Sequence, residues 1–537
     1  MLKHSDSPQS TASGAESGAD NTTQTLAQAF AACWSKPQVA ASTALDDGAR
    51  SLTYAQLADA TATTAANLLA QGLARGDVVA IAMGRSLDAV IVLLAAIRCG
   101  LCPCILEPKL PAEEIDERLT LVGAKGLVFD SSNSELVQAL KLNFDSAVLA
   151  INFAQLHARP THTEAESESE SESADSTHEH HIDAQTPALL LFTSGSTGRP
   201  KAVELTQRAL LNNALGVIAH TSLSPQDRLL HVMPIYHTNG VNNQLFAPLL
   251  AGATIVFADR FRADDIPALM ERHRPTIITG VPTMYSRMLS QTFTQAALLS
   301  LRIARCGSAP ITEALHREVE AKLGCPLIVS YGLSEATCTS TMNPPHARRI
   351  GSVGTVLRGQ AVQLRQIDDT MTDAPGVEGE ICIAGRSVMT GYLGADDVTA
   401  RTVTDGWLRT GDLGRFDEEG YLYVTGRIKD VIIRGGENLS PLLIENVIVS
   451  ETHVQACCVV GKPDRDLGEV PVAVIVAGSD STLQAQDICD SVRRRLSRIY
   501  VPHEVYFVDA LPETAVGKVD RKSLAGLVRD GLLQAVE

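Results

Sequence analysis

Apolar and polar residues come in blocks over the first part of the chain, and each block has the period of one kind of element. An amphipathic stretch at residues 54–71 predicts a helix, the apolar run 78–83 a strand, and residues 87–99 a second helix that another strand follows. This alternation is typical of βαβ units on a parallel sheet. Further apolar runs of strand length, each followed by helical or turn-forming residues, occur at residues 254–258, 277–280, 301–305 and 327–329.

The pattern changes after about residue 351, where short β-rich pieces are separated by closely spaced turns and predict a β subdomain. Beyond residue 426 the chain predicts a further small unit. Its elements are a strand pair at 431–434, a helix from Pro441, strands at 456–460 and 472–476, and a helix at 485–499. A unit of about 110 residues is large enough to fold as a small domain.

These patterns predict the fold class. It is an α/β protein with a large N-terminal domain of parallel-rich sheets packed with helices plus a β subdomain, and a small mobile α+β C-terminal domain. The predicted bounds are 25–426 and 427–537, with a hinge at 427–430 and a disordered tail at 1–24. An acidic low-complexity insert at 161–184 contains Glu-Ser repeats followed by histidines. It cannot bury a core, so we predict a solvated loop.

Composition limits the kinds of partner. The chain has 45 Lys and Arg against 62 Asp and Glu, a net charge of −17, which argues against nonspecific binding to nucleic acid or anionic membranes. The longest apolar run, residues 89–97, is far shorter than the roughly 20 residues of a membrane span, so we expect no integral membrane contact. The N-terminus does not resemble a secretion signal. A cytoplasmic location follows by elimination.

Eleven cysteines without a signal peptide indicate free thiols and not a disulfide framework. Cys99, Cys102 and Cys104 form the one cluster, but a zinc site would need a fourth ligand at suitable spacing. We interpret them as small buried hydrophobes where a helix gives way to a strand.

The strongest local signal for chemistry is an apolar strand at 189–192 that runs into a loop of hydroxyls and glycines and then a lysine. Glycine lets backbone N–H groups approach a phosphate, and hydroxyls add further donors. The order of residues is not that of a Walker A loop. We predict a phosphate-binding loop, formed by Thr193, Ser194, Gly195, Ser196, Thr197, Gly198 and Lys201.

Further motifs follow this loop in a fixed order, at residues 331–337, 407–413, 426–430, 435–438 and 517–518. With the loop, they resemble the motifs of the adenylate-forming superfamily of acyl-CoA synthetases, adenylation domains and luciferases. The resemblance covers about residues 52–522 and is strongest to a free-standing acyl-CoA synthetase. It implies that a carboxylic acid and ATP give acyl-AMP and pyrophosphate, after which CoA takes the acyl group. ATP, Mg²⁺ and CoA are the implied cofactors and co-substrates, and a homodimer is compatible with this interpretation.

Other interpretations stay open from the sequence. The chain could load an acyl group onto a carrier protein, although no carrier sequence is present. A luciferase-type oxygenase is a weaker alternative within the family. From another class, the chain could be a catalytically silent nucleotide-binding regulator, although such a protein has no chemical need for a mobile lysine.

The resemblance also implies residue roles. Lys518 reaches the α-phosphate and the carboxylate, Glu335 and Thr197 hold Mg²⁺, and Thr193 and His237 join Lys518 and Glu335 at the catalytic centre. A carboxylate oxygen suits Mg²⁺, and a mobile ammonium suits a contact carried by a moving domain. Besides the phosphate loop and Lys518, the implied ATP contacts are Ser308, Ala309, Tyr331, Gly332, Ser334, Asp412 and Arg427.

The acyl pocket and the second half-reaction have their own implied residues. The acyl pocket comprises Tyr236, His237, Asn242, Gly280, Gly307 and Gly332. The hinge and the CoA channel comprise Lys429, Gly435 and Gly436. The pocket segments offer no obvious cation for a second carboxylate, which favours a monocarboxylic aliphatic or aromatic acid.

Overall fold

The large domain is built on two mostly parallel sheets. The computed structural model describes residues 23–107, 110–141, 148–156, 182–194, 200–451, 453–478, 482–514 and 518–533. The strands of the first sheet, in spatial order, are Thr355–Val356, Thr341–Met342, Leu327–Tyr331, Ile303–Cys306, Ile277–Gly280, Arg228–His231, Thr254–Phe257, Thr43–Asp46 and Ser51–Thr53. Those of the second sheet are Gly391–Tyr392, Pro200–Thr206, Pro187–Ser194, Cys102–Ile105, Val78–Ala82, Gly126–Phe129 and Leu149–Asn152. The central pairs of both sheets are parallel, as the βαβ pattern predicts.

Helices cover these sheets, and their ends follow ordinary capping chemistry. Thr53 caps its helix with a side chain that accepts from Gln56 N, and Gln56 returns the bond. The helix Leu87–Arg98 is buried along nearly its whole length, in keeping with its continuous apolar sequence. The α-helices of the large domain are Leu26–Trp34, Pro37–Ala40, Tyr54–Ala70, Leu87–Arg98, Ala112–Val122, Ser134–Lys141, Gln207–Thr221, Ala247–Ala251, Ile266–His273, Pro282–Leu289, Gln295–Leu298, Glu313–Leu323 and Asp396–Thr402.

A third, antiparallel sheet forms the predicted β subdomain. In spatial order its strands are Met371–Thr372, Gln360–Arg365, Glu378–Gly385, Trp407–Phe416 and Val403–Thr404, with Leu422–Arg427 also paired to Trp407–Phe416. A short 3₁₀ turn, Ile428–Asp430, follows the last of these strands. The predicted hinge therefore falls where the third sheet ends.

The C-terminal part has its own sheet and its own core. The strands are Glu437–Leu439, Ile432–Arg434, Gly468–Ala477, Val454–Asp464 and Glu504–Phe507, and the helices are Pro441–Val449, Ala485–Arg495 and Arg521–Arg529. Buried side chains such as Ile444, Ile475 and Ile488 pack together between this sheet and its helices. A separate core of this kind is what a small domain needs to be stable by itself.

One predicted helix is too long. The pattern predicts a helix over 485–499, whereas the structure ends it at Arg495. Ser497 takes an extended backbone (φ −161°, ψ 174°), and its carbonyl oxygen accepts from Tyr500 N in a separate short turn. The backbone leaves the helical conformation already at Leu496 (φ −112°, ψ −104°), which the hydrophobic period alone does not reveal.

All eleven cysteines are free, and all but Cys457 and Cys489 are buried. Cys99, Cys102 and Cys104 lie at the predicted junction between a helix and a strand and pack in the apolar core. Within the described residues, no helix is long and apolar enough to cross a bilayer. Residues 1–22 of the predicted tail and residues 161–181 of the acidic insert lie outside the described residues, so the predictions for them stay predictions.

Candidate active site

Tyr331, Asp412 and Arg427 form one hydrogen-bonded group. Tyr331 ends its strand, and its hydroxyl donates to Asp412 Oδ2 over 2.8 Å. Arg427 Nε lies 2.9 Å from Asp412 Oδ1, because the two residues face each other in an antiparallel pair of the third sheet. Burial raises the pKa of the Asp412 carboxyl, while Arg427 acts in the opposite direction. The structure thus brings together three residues that the sequence predicts to contact the nucleotide.

Glu335 lies just beyond the same strand, in the short turn Ser334–Ala336. The Tyr392 hydroxyl donates to Glu335 Oε1 over 2.8 Å, and Lys201 Nζ lies 4.8 Å from the centroid of the Tyr392 ring. Lys201 faces Thr193 across the antiparallel pair that leads into and out of the predicted phosphate loop. Tyr392 therefore connects that loop to the predicted metal ligand.

The sequence analysis does not predict Tyr392. The available signal is the Gly-Tyr pair at residues 391–392, a short strand that pairs with Pro200–Thr206 beside the phosphate loop. Such a pairing over a long sequence separation is set by the tertiary fold, so residue patterns do not reveal it.

The phosphate loop itself is only partly described. Gly195, Ser196, Thr197 and Gly198 lie outside the described residues, as does the side chain of Ser194. Their predicted phosphate contacts, and the role of Thr197 as a metal ligand, stay predictions.

Glu335 fits the implied Mg²⁺ by its chemistry. The described part of the chain contains no group of three or more His, Cys, Asp or Glu side chains that could hold a metal by themselves. Mg²⁺ typically takes one or two protein carboxylates and completes its shell with substrate phosphates and water. A single hard carboxylate beside a nucleotide pocket matches that requirement.

Lys518 belongs to the small domain yet shares an environment with the large one. Burial lowers the pKa of its ammonium, and the nearby positive charge of Arg427 lowers it further. The same ammonium, after burial, contributes to lowering the pKa of His237 to about 4. The loop before Lys518 closes on itself, since Thr514 N donates to Lys518 O over 2.7 Å. The structure therefore brings Lys518 into the site in which His237 lies.

We expect the His237 imidazole to titrate near pH 4, well below the usual value of about 6.5. Both burial and the Lys518 charge oppose its protonation, so the folded chain binds this proton less readily than the unfolded chain does. The contribution of His237 to the free energy of unfolding should fall as the pH drops from about 6.5 to about 4. NMR titration, with His237→Gln for assignment, measures the midpoint.

Two further outcomes check this titration. Lys518→Ala should raise the midpoint, because it removes a repelling charge. A midpoint that stays near the usual histidine value in the native chain would contradict the arrangement of His237 and Lys518.

Hydrogen bonds connect the predicted acyl-pocket segment that contains His237 to neighbouring segments. The rings of Tyr236 and His237 lie 4.8 Å apart between centroids. The next element, Asn239–Phe246, has the widened turns of a π-helix, which are rare and occur frequently at functional sites. Asn243 Nδ2 of this element donates to Thr339 Oγ1 over 2.9 Å, and Asn242 Nδ2 donates to Asn213 Oδ1 over the same distance.

The other predicted pocket glycines are Gly280, Gly307 and Gly332. Gly280 and Gly307 lie at or just after the carboxyl ends of neighbouring parallel strands, where α/β proteins bind ligands, and Ser308 and Ala309 follow Gly307. A Cβ at Gly332 would lie only 2.0 Å from the carbonyl oxygen of Cys338. Glycine is therefore required at position 332.

Arg305 is a buried cation that the sequence did not predict for the site, two residues before Gly307 of the predicted acyl pocket. It is 2% exposed, and it donates from Nε to Thr279 Oγ1 over 3.0 Å and from Nη2 to the Asn243 carbonyl oxygen over 3.1 Å. Its Nη1 has no hydrogen-bond partner among the described residues. Burial lowers its pKa to about 10, which still leaves it charged at neutral pH.

Several buried polar atoms on the neighbouring segments also lack partners within the described residues. They are Asn242 Oδ1, Asn243 Oδ1, Ser340 Oγ and Gln360 Oε1. Buried polar atoms in proteins are nearly always hydrogen-bonded, so unpaired ones need an explanation. A cation and several polar atoms left unpaired beside the predicted acyl pocket are consistent with a polar ligand.

The structure does not bring the predicted hinge and CoA-channel residues into this group. Lys429 lies in the exposed turn Ile428–Asp430. Gly435 and Gly436 form the exposed turn between Ile432–Arg434 and Glu437–Leu439, with φ of +59° and +88°. Gly435 N donates to Leu467 O within the small domain. A role for this turn in the CoA channel stays a prediction.

Comparison with known proteins gives concordant matches. Residues 33–393 match the model of the AMP-binding enzyme family, and residues 443–518 match the model of the AMP-binding enzyme C-terminal domain. The indoleacetate–CoA ligase of Aromatoleum aromaticum is 36% identical over 89% of this chain and 94% of its own. The sulfoacetate–CoA ligase of Cupriavidus necator is 34% identical over 89% and 93%. The crystal structure of ATP-bound MatB from Rhodopseudomonas palustris superimposes with a TM-score of 0.84, at 30% identity over 94% and 99%.

Proposed function

The chain belongs to the AMP-binding enzyme family and is an ATP-dependent acyl-CoA ligase, and on this basis we propose that its acid carries a second anionic group. This group, a carboxylate or a sulfonate, lies at the end of the acid remote from the reacting carboxylate. The observation that carries the proposal is the buried, partly unpaired guanidinium of Arg305.

The ligase reaction has two steps. A carboxylate oxygen of the acid attacks the α-phosphorus of ATP, and the bond to pyrophosphate breaks. The CoA thiolate then attacks the acyl carbon, and AMP leaves. Bound Mg²⁺ supplies charge neutralisation at the phosphates.

We propose the following roles for the chain's own residues. Lys518 neutralises charge that develops between the carboxylate and the α-phosphate, and His237, which is neutral at working pH, orients the acid without acting as a base. Asp412 accepts from the ribose hydroxyls, with Tyr331 and Arg427 fixing its carboxylate. Glu335 holds the metal, and Tyr392 orients Glu335. The cytoplasmic location and the homodimer stay predictions from the sequence.

Arg305 supports the proposed substrate class because a buried charge without a hydrogen-bonded counter-ion is costly. The described residues provide it with neutral hydrogen-bond acceptors, Thr279 and the Asn243 carbonyl, while the Asp227 carboxylate acts on it without a hydrogen bond. Both Arg305 and Lys518 act to lower the pKa of the Cys338 thiol, although burial raises that pKa overall to about 11. Two cations near one side chain suit a short acid with an anionic group at each end.

This proposal replaces the monocarboxylic acid expected from the sequence. That expectation depended on the lack of a cation in the predicted pocket segments. Arg305 lies outside them, two residues before the segment that begins at Gly307. The sulfoacetate relative acts on an acid of the proposed kind, whereas the indoleacetate relative acts on an acid with one anionic group.

We expect matched pairs of acids to separate these possibilities. Pyrophosphate exchange into ATP is measured for propionate against succinate, and for acetate against malonate and sulfoacetate. Acids with the second anion should have kcat/KM about 100-fold higher, since a buried charged hydrogen bond is worth about 2–5 kcal/mol. Arg305→Met should abolish this preference, and Arg305→Lys should retain part of it.

Thermal unfolding of each variant serves as the control for folding. If the single-anion acids exchange faster, and Arg305→Met does not change this order, the proposed substrate class is wrong. The assignment as a ligase would not be affected by that result. Loss of exchange with every acid in a stably folded variant would instead assign Arg305 a structural role.

A further inference from the structure

An ion pair joins the two domains far along the chain from the hinge. Arg287 Nη2 donates to Glu513 Oε1 over 2.8 Å and to Glu513 Oε2 over 2.9 Å, so one nitrogen contacts both carboxylate oxygens. Arg287 belongs to the large domain and Glu513 to the small one. Hydrogen bonds between two ionised groups are shorter and stronger than neutral ones.

Each partner sits beside a functional element. Arg287 is in the last turn of the helix Pro282–Leu289, whose first residues follow Gly280 at the predicted acyl pocket. Glu513 precedes Lys518 by five residues and pairs with Val519 in a short bridge across the same loop. Thr514 N and Lys518 O close this loop by a hydrogen bond. A displacement of Glu513 should therefore also displace the backbone of Lys518, because these two contacts link the segments.

Near the hinge, Ser440 Oγ of the small domain donates to Thr425 O of the large domain over 2.6 Å. A rotation about residues 427–430 moves groups next to the hinge little and moves distant groups far. A rotation would therefore break the contact between Arg287 and Glu513 and, with it, withdraw Lys518 from His237.

We propose that Arg287 and Glu513 are positioning residues that hold the Lys518 loop in the site for the first half-reaction, and that their separation accompanies the second. The pair acts through Lys518 and touches no substrate. The proposal rests on the ligase activity and is independent of which acid is used.

The test is charge reversal at one partner. Arg287→Glu should slow pyrophosphate exchange about three- to tenfold, the size expected when a partly exposed ion pair is lost and made repulsive. The side chains are 53% and 30% exposed, which limits the effect to this range. Thioester formation from supplied acyl-adenylate and CoA should not fall. The acid used is the fastest in the panel described above, whichever class it belongs to.

A matched control and a rescue separate positioning from folding. Arg317→Glu makes the same charge change at an exposed pair within one helix, where Arg317 lies 3.4 Å from Glu313, and should leave both half-reactions unchanged within twofold. Glu513→Arg alone should behave as Arg287→Glu does. The double variant Arg287→Glu with Glu513→Arg should recover most of the exchange rate, because the pair is restored with its charges exchanged.

The titration of His237 gives a readout that needs no acid. If the Lys518 loop leaves the site in Arg287→Glu, the His237 midpoint should rise, since both its burial and the neighbouring charge decrease. Equal slowing of both half-reactions, or a double variant no faster than the single ones, would overturn the proposal. So would an unchanged exchange rate in Arg287→Glu.

Discussion

Replacing Lys518 with alanine should slow adenylation by about 100-fold or more, the loss typical when one strong electrostatic donor is removed from a transition state. Lys518 is half-buried, and partial burial together with the charge of Arg427 lowers the pKa of its ammonium, so water screens its charge less than at an open surface. Pyrophosphate exchange measures this first half-reaction.

The second half-reaction should be affected much less. Thioester formation from a supplied acyl-adenylate does not need a cation to neutralise charge that develops during attack on the α-phosphate. In the proposed two-position mechanism, Lys518 has left the site by this step. Lys522→Ala, four residues along the same chain and outside the proposed site, is the matched control and should retain activity. If Lys518→Ala slowed both halves equally, a two-position mechanism would lose its main support.

Glu335→Gln should have the second large effect, a fall in adenylation of about 100-fold together with a raised requirement for Mg²⁺. The amide keeps the shape of the side chain and an oxygen that can accept from Tyr392, but it removes the negative charge that the cation prefers. Exchange rates measured over a Mg²⁺ series at fixed ATP separate a loss of metal affinity from a loss of rate.

Tyr392→Phe is the control for this variant. It removes one hydrogen bond to Glu335 and keeps both the carboxylate and the ring over which Lys201 lies, so a change of a few-fold is expected. An unchanged Mg²⁺ requirement in Glu335→Gln would show that another residue holds the metal.

Local patterns predict this fold well where one segment carries its own signal. The helix Leu87–Arg98 carries an unbroken apolar run at residues 89–97, and the strand Ile277–Gly280 is a short buried run, so their type and place follow from the sequence. The predicted helix 485–499 is too long because its amphipathic period continues beyond Arg495, whereas the backbone turns out of the helical conformation at Leu496. The change of backbone conformation that ends this helix is local, and no repeating pattern of apolar residues signals it.

The site divides in the same way. Tyr331, Asp412 and Arg427 lie within recognisable motifs, so their convergence is predictable even though 81 residues separate Tyr331 from Asp412. Tyr392 and the pair of Arg287 with Glu513 lie in no motif, and their contacts arise only from packing of distant segments.

Arg305 is an intermediate case. A charged residue within a short buried strand of a parallel sheet is itself unusual, because such strands are nearly all apolar. The sequence Ile303–Cys306 shows this contrast, because Arg305 is its one charged residue. What the sequence could not provide is the direction of the side chain, since a strand places alternate residues on opposite faces and the register depends on its neighbours.

The burial of the cysteines matters for an enzyme whose acyl acceptor, CoA, is itself a thiol. Exchange between a protein sulfur and an oxidised form of CoA begins with an ionised sulfur that can reach the disulfide. Burial raises the pKa of Cys338 to about 11 and that of Cys306 further, so both stay protonated and shielded. Burial raises the pKa of the half-buried Cys489, on the helix Ala485–Arg495, as well, so capture of the protein as a mixed disulfide should be slow there too.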